Sequence, residues 1–220
     1  MSRRLVVLTA GLSQPSSTRL LANRLADAVT AQVTARGEGL EVEVIELREL
    51  AHDLATTMTT GGMPTPAVAA ARDLVSAADG VIAVTPVFTA SYSGLFKMFM
   101  DVLDTDALNG MPVIIAATAG TERHQLVLEH ALRPLFTYLR AVVVPTGVFA
   151  ATEDFGGDQS AELGRRIARA AAELAALVVA EQGGVAGFVQ DVAPARRRTS
   201  GTGIDTEVTD FEDLLAGLGQ

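Results

Sequence analysis

Two short runs, Val81-Ile82-Ala83-Val84 and Val113-Ile114-Ile115-Ala116-Ala117, are apolar without interruption. A strand with one face in water alternates apolar and polar residues, whereas an unbroken run fits a strand of a parallel sheet covered by helices on both faces. The rest of the chain supplies the matching rhythm. Leu5-Val6-Val7-Leu8-Thr9 reads as a first strand, and beyond a polar loop Leu21, Leu25, Ala28 and Val29 share one helical face. In Leu40-Glu41-Val42-Glu43-Val44 the apolar residues alternate with glutamates, which expects a second, half-covered strand at a sheet edge. Segment 141–148 carries Pro145, which has no N–H for a ladder, so a fifth strand is expected at the other edge. Helical spacing over residues 65–78, 94–103, 122–139 and 160–181 separates the strands.

This alternation predicts an α/β fold, a doubly wound five-stranded parallel sheet. Right-handed crossovers with strands two and five outside give the order 2-1-3-4-5. The same order expects a ligand crevice beyond the carboxyl ends of strands one, three and four, at the topological switch point. Composition changes near Gly183, so residues 1–183 are read as one domain and 184–220 as a tail. In the tail, Thr209 and Glu212 resemble a capping box before a short helix with Phe211, Leu214, Leu215 and Leu218 on its apolar face.

Bulk composition removes several function classes. The chain has no cysteine, which excludes disulfide or thiol chemistry and leaves any redox function to a bound cofactor. Its formal charge of -9 argues against a nucleic-acid surface. The basic run Arg196-Arg197-Arg198 reads as a solvated turn. No apolar run approaches the roughly 20 residues of a membrane-spanning helix, and the first apolar segment is only about one strand long, so a cytoplasmic protein is expected. His124 and His130 stand six apart and do not share a helical face as an i,i+4 metal pair would, so no metal site is expected.

Three loops meet at the predicted crevice. The first, residues 11–18, holds Gly11, Ser13, Ser16, Ser17 and Thr18 and runs straight into a helix. Hydroxyls and backbone N–H groups converging at a helix start suit an anion; any one of Ser16, Ser17 or Thr18 could instead simply cap the helix. Neither a Gly-x-x-x-x-Gly-Lys nor a Gly-x-Gly-x-x-Gly pattern is present, and the strand ends Thr9-Ala10-Gly11 and Thr85-Pro86 lack the acids of a phosphoaccepting receiver. A monophosphate such as that of FMN fits best. The second loop, residues 85–94, is extended and moderately apolar, as a flat ring requires, although Phe88 and Tyr92 also suit ordinary packing. In the third, Thr118-Ala119-Gly120-Thr121 permits close backbone approach before His124 in the next helical turn.

Taken together, the loop of residues 11–18, the segment Pro86-Val87-Phe88-Thr89-Ala90-Ser91-Tyr92-Ser93-Gly94-Leu95-Phe96-Lys97 and Thr118-Ala119-Gly120-Thr121 with His124 resemble the NAD(P)H-dependent FMN reductase family. The likeness is greatest to reductase components of two-component monooxygenases that desulfonate alkanesulfonates. It continues through Glu129-His130-Ala131-Leu132-Arg133-Pro134-Leu135 and Gly147-Val148-Phe149-Ala150, covering roughly residues 4 to 155. It implies a flavodoxin-like fold, FMN as substrate or loosely held cofactor, NADPH or NADH as hydride donor, and a homodimer or homotetramer. By position it places Ser13, Ser16, Ser17 and Thr18 at the phosphate, and Pro86, Val87, Phe88, Gly120 and Thr121 around the ring and ribityl chain. Ser91, Thr118 and His124 join the set from the same loops, and no side chain is required as a catalytic acid or base. His130 stands where alkanesulfonate-type members often carry tyrosine in an irregular helix at the tetramer interface. The tail is closer to actinobacterial relatives associated with luciferase-like monooxygenases, which makes such a monooxygenase the implied partner. An FMN-containing quinone or azo reductase and a non-enzymatic flavodoxin-type carrier are the competing readings. No charged residue can be assigned to the ribose 2′ position, so NADPH and NADH both stand.

Overall fold

A computed structural model describes residues 2–156, 160–179 and 198–202. Five elements set the frame: β1 (Ser2–Thr9), α1 (Ser17–Thr34), β2 (Gly39–Glu46), α2 (Ala51–Thr59) and α3 (Pro66–Ser76). They are followed by β3 (Gly80–Phe88), the two-residue β4 (Ser91–Tyr92), α4 (Gly94–Asp101) and β5 (Pro112–Ala119). Then come α5 (Arg133–Tyr138), β6 (Val142–Val143), β7 (Val148–Ala151) and α6 (Ser160–Val179). The parallel ladder runs β2-β1-β3-β5-β6, with β7 also parallel to β5 and β4 antiparallel to β3. With β6 and β7 taken as two pieces of one interrupted strand, this is the expected order 2-1-3-4-5.

Side-chain alternation in the central strands feeds two cores. Val6 and Leu8, Val81 and Ala83, and Val113 and Ile115 pack against α2, α3, α4 and α5. Their neighbours Leu5 and Val7, Ile82 and Val84, and Ile114 and Ala116 pack against α1 and α6. Both faces are therefore dry, which is why these runs show no polar residue. The helix after β1 lies on one face and the helix after β3 on the other, so the switch point falls between those strands.

Four features differ from the sequence expectations. The stretch 122–139 is not one α-helix but a 3₁₀ turn at Glu122–His124, a π turn at Leu128–Leu132 and then α5. Pro134 explains the change of winding: it has no N–H, and its ring excludes a regular i→i−4 turn at that point. Arg133 N instead reaches back five residues to Leu128 O. His130 sits inside this irregular turn. The fifth strand breaks at residues 144–147, where Arg133 donates to the carbonyls of Val144 and Pro145 and Glu173 accepts from the backbone and hydroxyl of Thr146. In β2, Val42 and Val44 are each 36% exposed, so the edge strand is covered less than its alternation implied. A 3₁₀ turn at Leu47–Leu50 and α2, burying Leu47 and Leu54, fill a stretch that had no assigned element.

The tail helix, the 183/184 boundary, Arg196 and Arg197 lie outside the described residues. Arg198 is not part of a free solvated turn: its Nη1 donates to Ala78 O at 2.6 Å, and Thr202 Oγ1 donates to Asp73 Oδ1 at 2.5 Å. Residues 198–202 are thus tied to the domain beside the start of β3.

Candidate functional site

The first site loop is built around a close approach. A Cβ added to Gly11 would lie 2.1 Å from Ser16 Oγ, so glycine lets the chain leaving β1 fold back on the start of α1 without displacing that hydroxyl. Ser16 is the N-cap of that helix, its Oγ accepting from Arg19 N at 3.2 Å. The capping role foreseen for one of these hydroxyls is therefore real, but it uses only an acceptor lone pair and leaves the Ser16 hydrogen to donate. Two residues on, buried Thr18 Oγ1 lies 2.8 Å from buried Thr118 Oγ1, joining the β1 loop to the end of β5. Because one hydroxyl donates to the other, a single hydrogen of the pair remains to serve a ligand.

The second loop is a hairpin, not a simple extended segment. Beyond Val84, where β1 ends, β3 keeps its ladder with β5 as far as Pro86 opposite Thr118 and then turns at Thr89–Ala90 into β4. Both turn residues have positive φ, 49° and 64°, as a two-residue hairpin of right-handed strands requires. Behind it Thr85 Oγ1 accepts from Ser93 N at 3.0 Å, and Ser93 Oγ caps α4 by accepting from Phe96 N. Phe96 contacts Tyr92 and Phe136, with ring centroids 6.0 and 6.3 Å away. Tyr92 is thus a packing residue, while Phe88 at the hairpin stays 45% exposed.

These loops enclose one cleft of about 320 Å³. Of the residues expected from sequence, Ser13, Ser16, Ser17, Thr18, Pro86, Val87, Phe88, Thr118 and Gly120 line it together. Ser91 and His124 do not; they line a neighbouring groove of about 360 Å³ with Arg123 and His130. Thr121 lines neither and instead caps the Glu122–His124 turn, accepting from Arg123 N. Leu12, Ala119 and Thr152 were missed. The first two adjoin expected residues, and Thr152 follows β7, whose carboxyl end borders the same crevice; extending the switch-point argument to the fifth strand would have found it.

The cleft lining carries no charged side chain: serine and threonine hydroxyls gather at the start of α1, and Pro86, Val87, Phe88 and Leu12 supply the apolar remainder. Such a lining can offer hydroxyl donors to a phosphate monoester and an apolar wall to a flat ring. Among the described residues no group of three or more His, Cys, Asp or Glu is placed to hold a metal ion, and no helix is long and apolar enough to cross a membrane.

Comparison with known proteins shows the family. The family model described as NADPH-dependent FMN reductase matches residues 3–156. The NADH-dependent FMN reductase SfnE of Pseudomonas putida is 41% identical over 172 residues, 77% of this chain and 89% of that protein. An FMN reductase (NADPH) of Pseudomonas aeruginosa is 38% identical over 154 residues, 69% of this chain and 78% of that protein. Among solved structures, an oxidoreductase from Corynebacterium diphtheriae is 63% identical with a TM-score of 0.80, covering 82% of this chain and 98% of that one. The apo form of the NADH:FMN oxidoreductase EmoB is 28% identical with a TM-score of 0.65, covering 77% and 88%. The family match runs from β1 past β7, and on it the chain belongs to the NADPH-dependent FMN reductase family.

Proposed function

We propose that the chain transfers a hydride from NADPH or NADH to FMN seated in the 320 Å³ cleft and releases the reduced flavin to a partner monooxygenase. The observation that carries this is the meeting of hydroxyl donors and apolar walls in one uncharged crevice at the switch point. Ser13, Ser16, Ser17 and Thr18, with the first N–H groups of α1, hold the phosphate. Pro86, Val87 and Phe88 support one face of the ring, and Thr118 and Gly120 border the ribityl chain. Ser91, Thr121 and His124 sit beside this cleft and serve the second nucleotide as it approaches. When bound, FMN supplies the hydride acceptor, and the protein's task is to align two rings at contact distance. No residue is required as acid or base; Phe88 and Leu12, both exposed, form the apolar mouth against which the rings exclude water.

A cytoplasmic homodimer or homotetramer that supplies a luciferase-like monooxygenase belongs to the same reading, supported by the resemblance over residues 4 to 155. Light scattering checks the assembly. The activity is checked by absorbance at 340 nm with and without added FMN. Oxidation whose rate saturates with free FMN is the expected result. Oxidation indifferent to added FMN identifies a tightly flavinated quinone or azo reductase instead, and no oxidation under either condition reduces the protein to a carrier.

A further inference from the structure

On the other side of the phosphate loop lies a second groove of about 310 Å³ that shares Ser13 and Ser16 with the cleft. It opens toward β2, away from β3 and β5 where the ring surface lies, and it holds what the cleft lacks, positive charge. Arg19 from α1 and Arg48 from the turn after β2 converge on one carboxylate, Glu46, which ends β2. Arg19 Nη1 lies 2.5 Å from Glu46 Oε1 and Arg48 Nε lies 3.6 Å from Oε2. Two guanidiniums on one carboxylate leave a local charge of +1 in a chain whose formal charge is -9.

A structural link between α1 and β2 needs only one arginine, and partly exposed ion pairs contribute little to stability. The second cation is therefore more than that link needs. Arg48 is also tied to the phosphate loop: with the Gln14 amide oriented to satisfy both partners, its oxygen accepts from Arg48 Nη1 and Nη2 at 2.8 and 2.6 Å. Arg19 Nε donates to Asn23 Oδ1 at 2.7 Å, leaving the Asn23 amide hydrogens to donate. Beside them Leu20, 43% exposed, and Pro15 make a small apolar shelf. A guanidinium pair can hold a phosphate, and an apolar shelf with an amide edge can hold a flat base.

We propose that this groove holds the adenosine-phosphate half of a dinucleotide, with the Arg19 and Arg48 guanidiniums on the phosphate and the base on Leu20 and Pro15. The proposal rests on the placement of the flavin phosphate at the start of α1. A flavin dinucleotide continues from that phosphate into this groove; an adenine half belonging to the nicotinamide nucleotide reaches the same chemistry from outside.

The test uses 5′-AMP as the probe, by titration calorimetry on the flavin-free chain, together with KM values for FMN, FAD, NADPH and NADH. Each variant is first checked by its melting curve. AMP is expected to bind, about tenfold more weakly to Arg19→Gln and Arg48→Gln, each of which loses a charge-assisted bond. Arg19→Lys keeps the charge and retains most of the binding. Glu46→Gln frees both arginines and binds AMP more tightly, a gain that a purely structural role does not produce. If the source is FAD, its KM rises about tenfold in the Arg→Gln variants while that of FMN moves less than about threefold; if it is the nicotinamide nucleotide, the KM for NADPH or NADH rises instead. The proposal is overturned by absence of AMP binding to the unmodified chain, by weaker AMP binding in a folded Glu46→Gln, or by an FMN KM that rises as far as the others. A chain that binds AMP in this pattern but oxidises neither NADPH nor NADH with either flavin sinks the reductase reading and leaves the groove standing.

Discussion

Gly11→Ala tests the core of the site reading. The backbone at Gly11 tolerates an L side chain, so the consequence is purely one of space: the new Cβ lies 2.1 Å from Ser16 Oγ, 3.2 Å from Ser16 Cβ and 3.1 Å from Thr18 Cβ. The last two contacts are tight but bearable; the first is not. Rotation of Ser16 about χ1 is the cheapest relief, and it removes Oγ from Arg19 N, a cap worth about 1 kcal/mol. At this chain length that lowers Tm by about 2–4 °C. The rotated hydroxyl also leaves the cleft, and one donor fewer on a phosphate dianion costs about 1.5 kcal/mol, roughly tenfold in Kd. Melting curves and titration of FMN fluorescence measure the two quantities separately. Gly11→Ala combined with Ser16→Gly removes the clash, and glycine at an N-cap costs only a few tenths of a kcal/mol, so most of the Tm returns while FMN affinity does not. Unchanged FMN affinity in Gly11→Ala, or recovered affinity in the double variant, refutes the assignment of Ser16 to the phosphate.

Three further outcomes follow from other contacts. Thr18→Val strands the buried Thr118 hydroxyl and destabilises by about 1–3 kcal/mol, whereas Thr18→Val with Thr118→Val is close to neutral; additive losses in denaturant melts contradict the pairing. Phe88→Ala, at a position 45% exposed, changes stability by less than about 0.5 kcal/mol but raises the FMN KM roughly two- to tenfold, and an unaltered KM removes Phe88 from the ring site. The Ser200 and Thr202 hydroxyls hold the Asp73 carboxyl below its usual 3.8, so the contact contributes above that value and is lost as pH falls through the lower folded value. Protection factors for amide exchange over residues 198–202, taken against the intrinsic rate at each pH, are expected to fall as pH drops below 3.8 through the lower folded value and to be low at every pH in Asp73→Asn; equal protection in the two proteins contradicts the tether.

The parts legible in the sequence were those governed by burial. Unbroken runs at 81–84 and 113–117 mark strands that two helical layers cover, and Pro145 marks an edge because a missing N–H is a fact of the residue itself. The hydroxyls of the first loop were legible for a similar reason: their number exceeds what one cap needs. Less visible was anything decided by backbone path. Thr89 and Ala90 take positive φ without the Asn-Gly signature that announces such a turn, because the Val87–Tyr92 and Phe88–Ser91 pairs impose it from outside. Glu122 to Leu139 kept a helical period while changing its winding twice, since periodicity reports which side chains are buried and not how the backbone bonds beneath them.

The hairpin and the fifth strand border the cleft, and the rewound stretch borders the neighbouring groove of Ser91 and His124. The positive-φ hairpin presents Phe88, and the interrupted fifth strand resumes only to end beside Thr152. The π turn packs so closely on Gly147 that an added Cβ would meet Leu128 Cδ1 at 3.0 Å. A regular helix over 122–139 and an unbroken strand over 141–148 would not bring these backbones together in the observed way. Arg133 shows what holds the departure in place: it grips Glu129 within the π turn through two bonds and the carbonyls of Val144 and Pro145 at the strand break through two more. One guanidinium thus ties two local irregularities to each other, and the sequence carries both as a single arginine that its helical spacing gave no reason to notice.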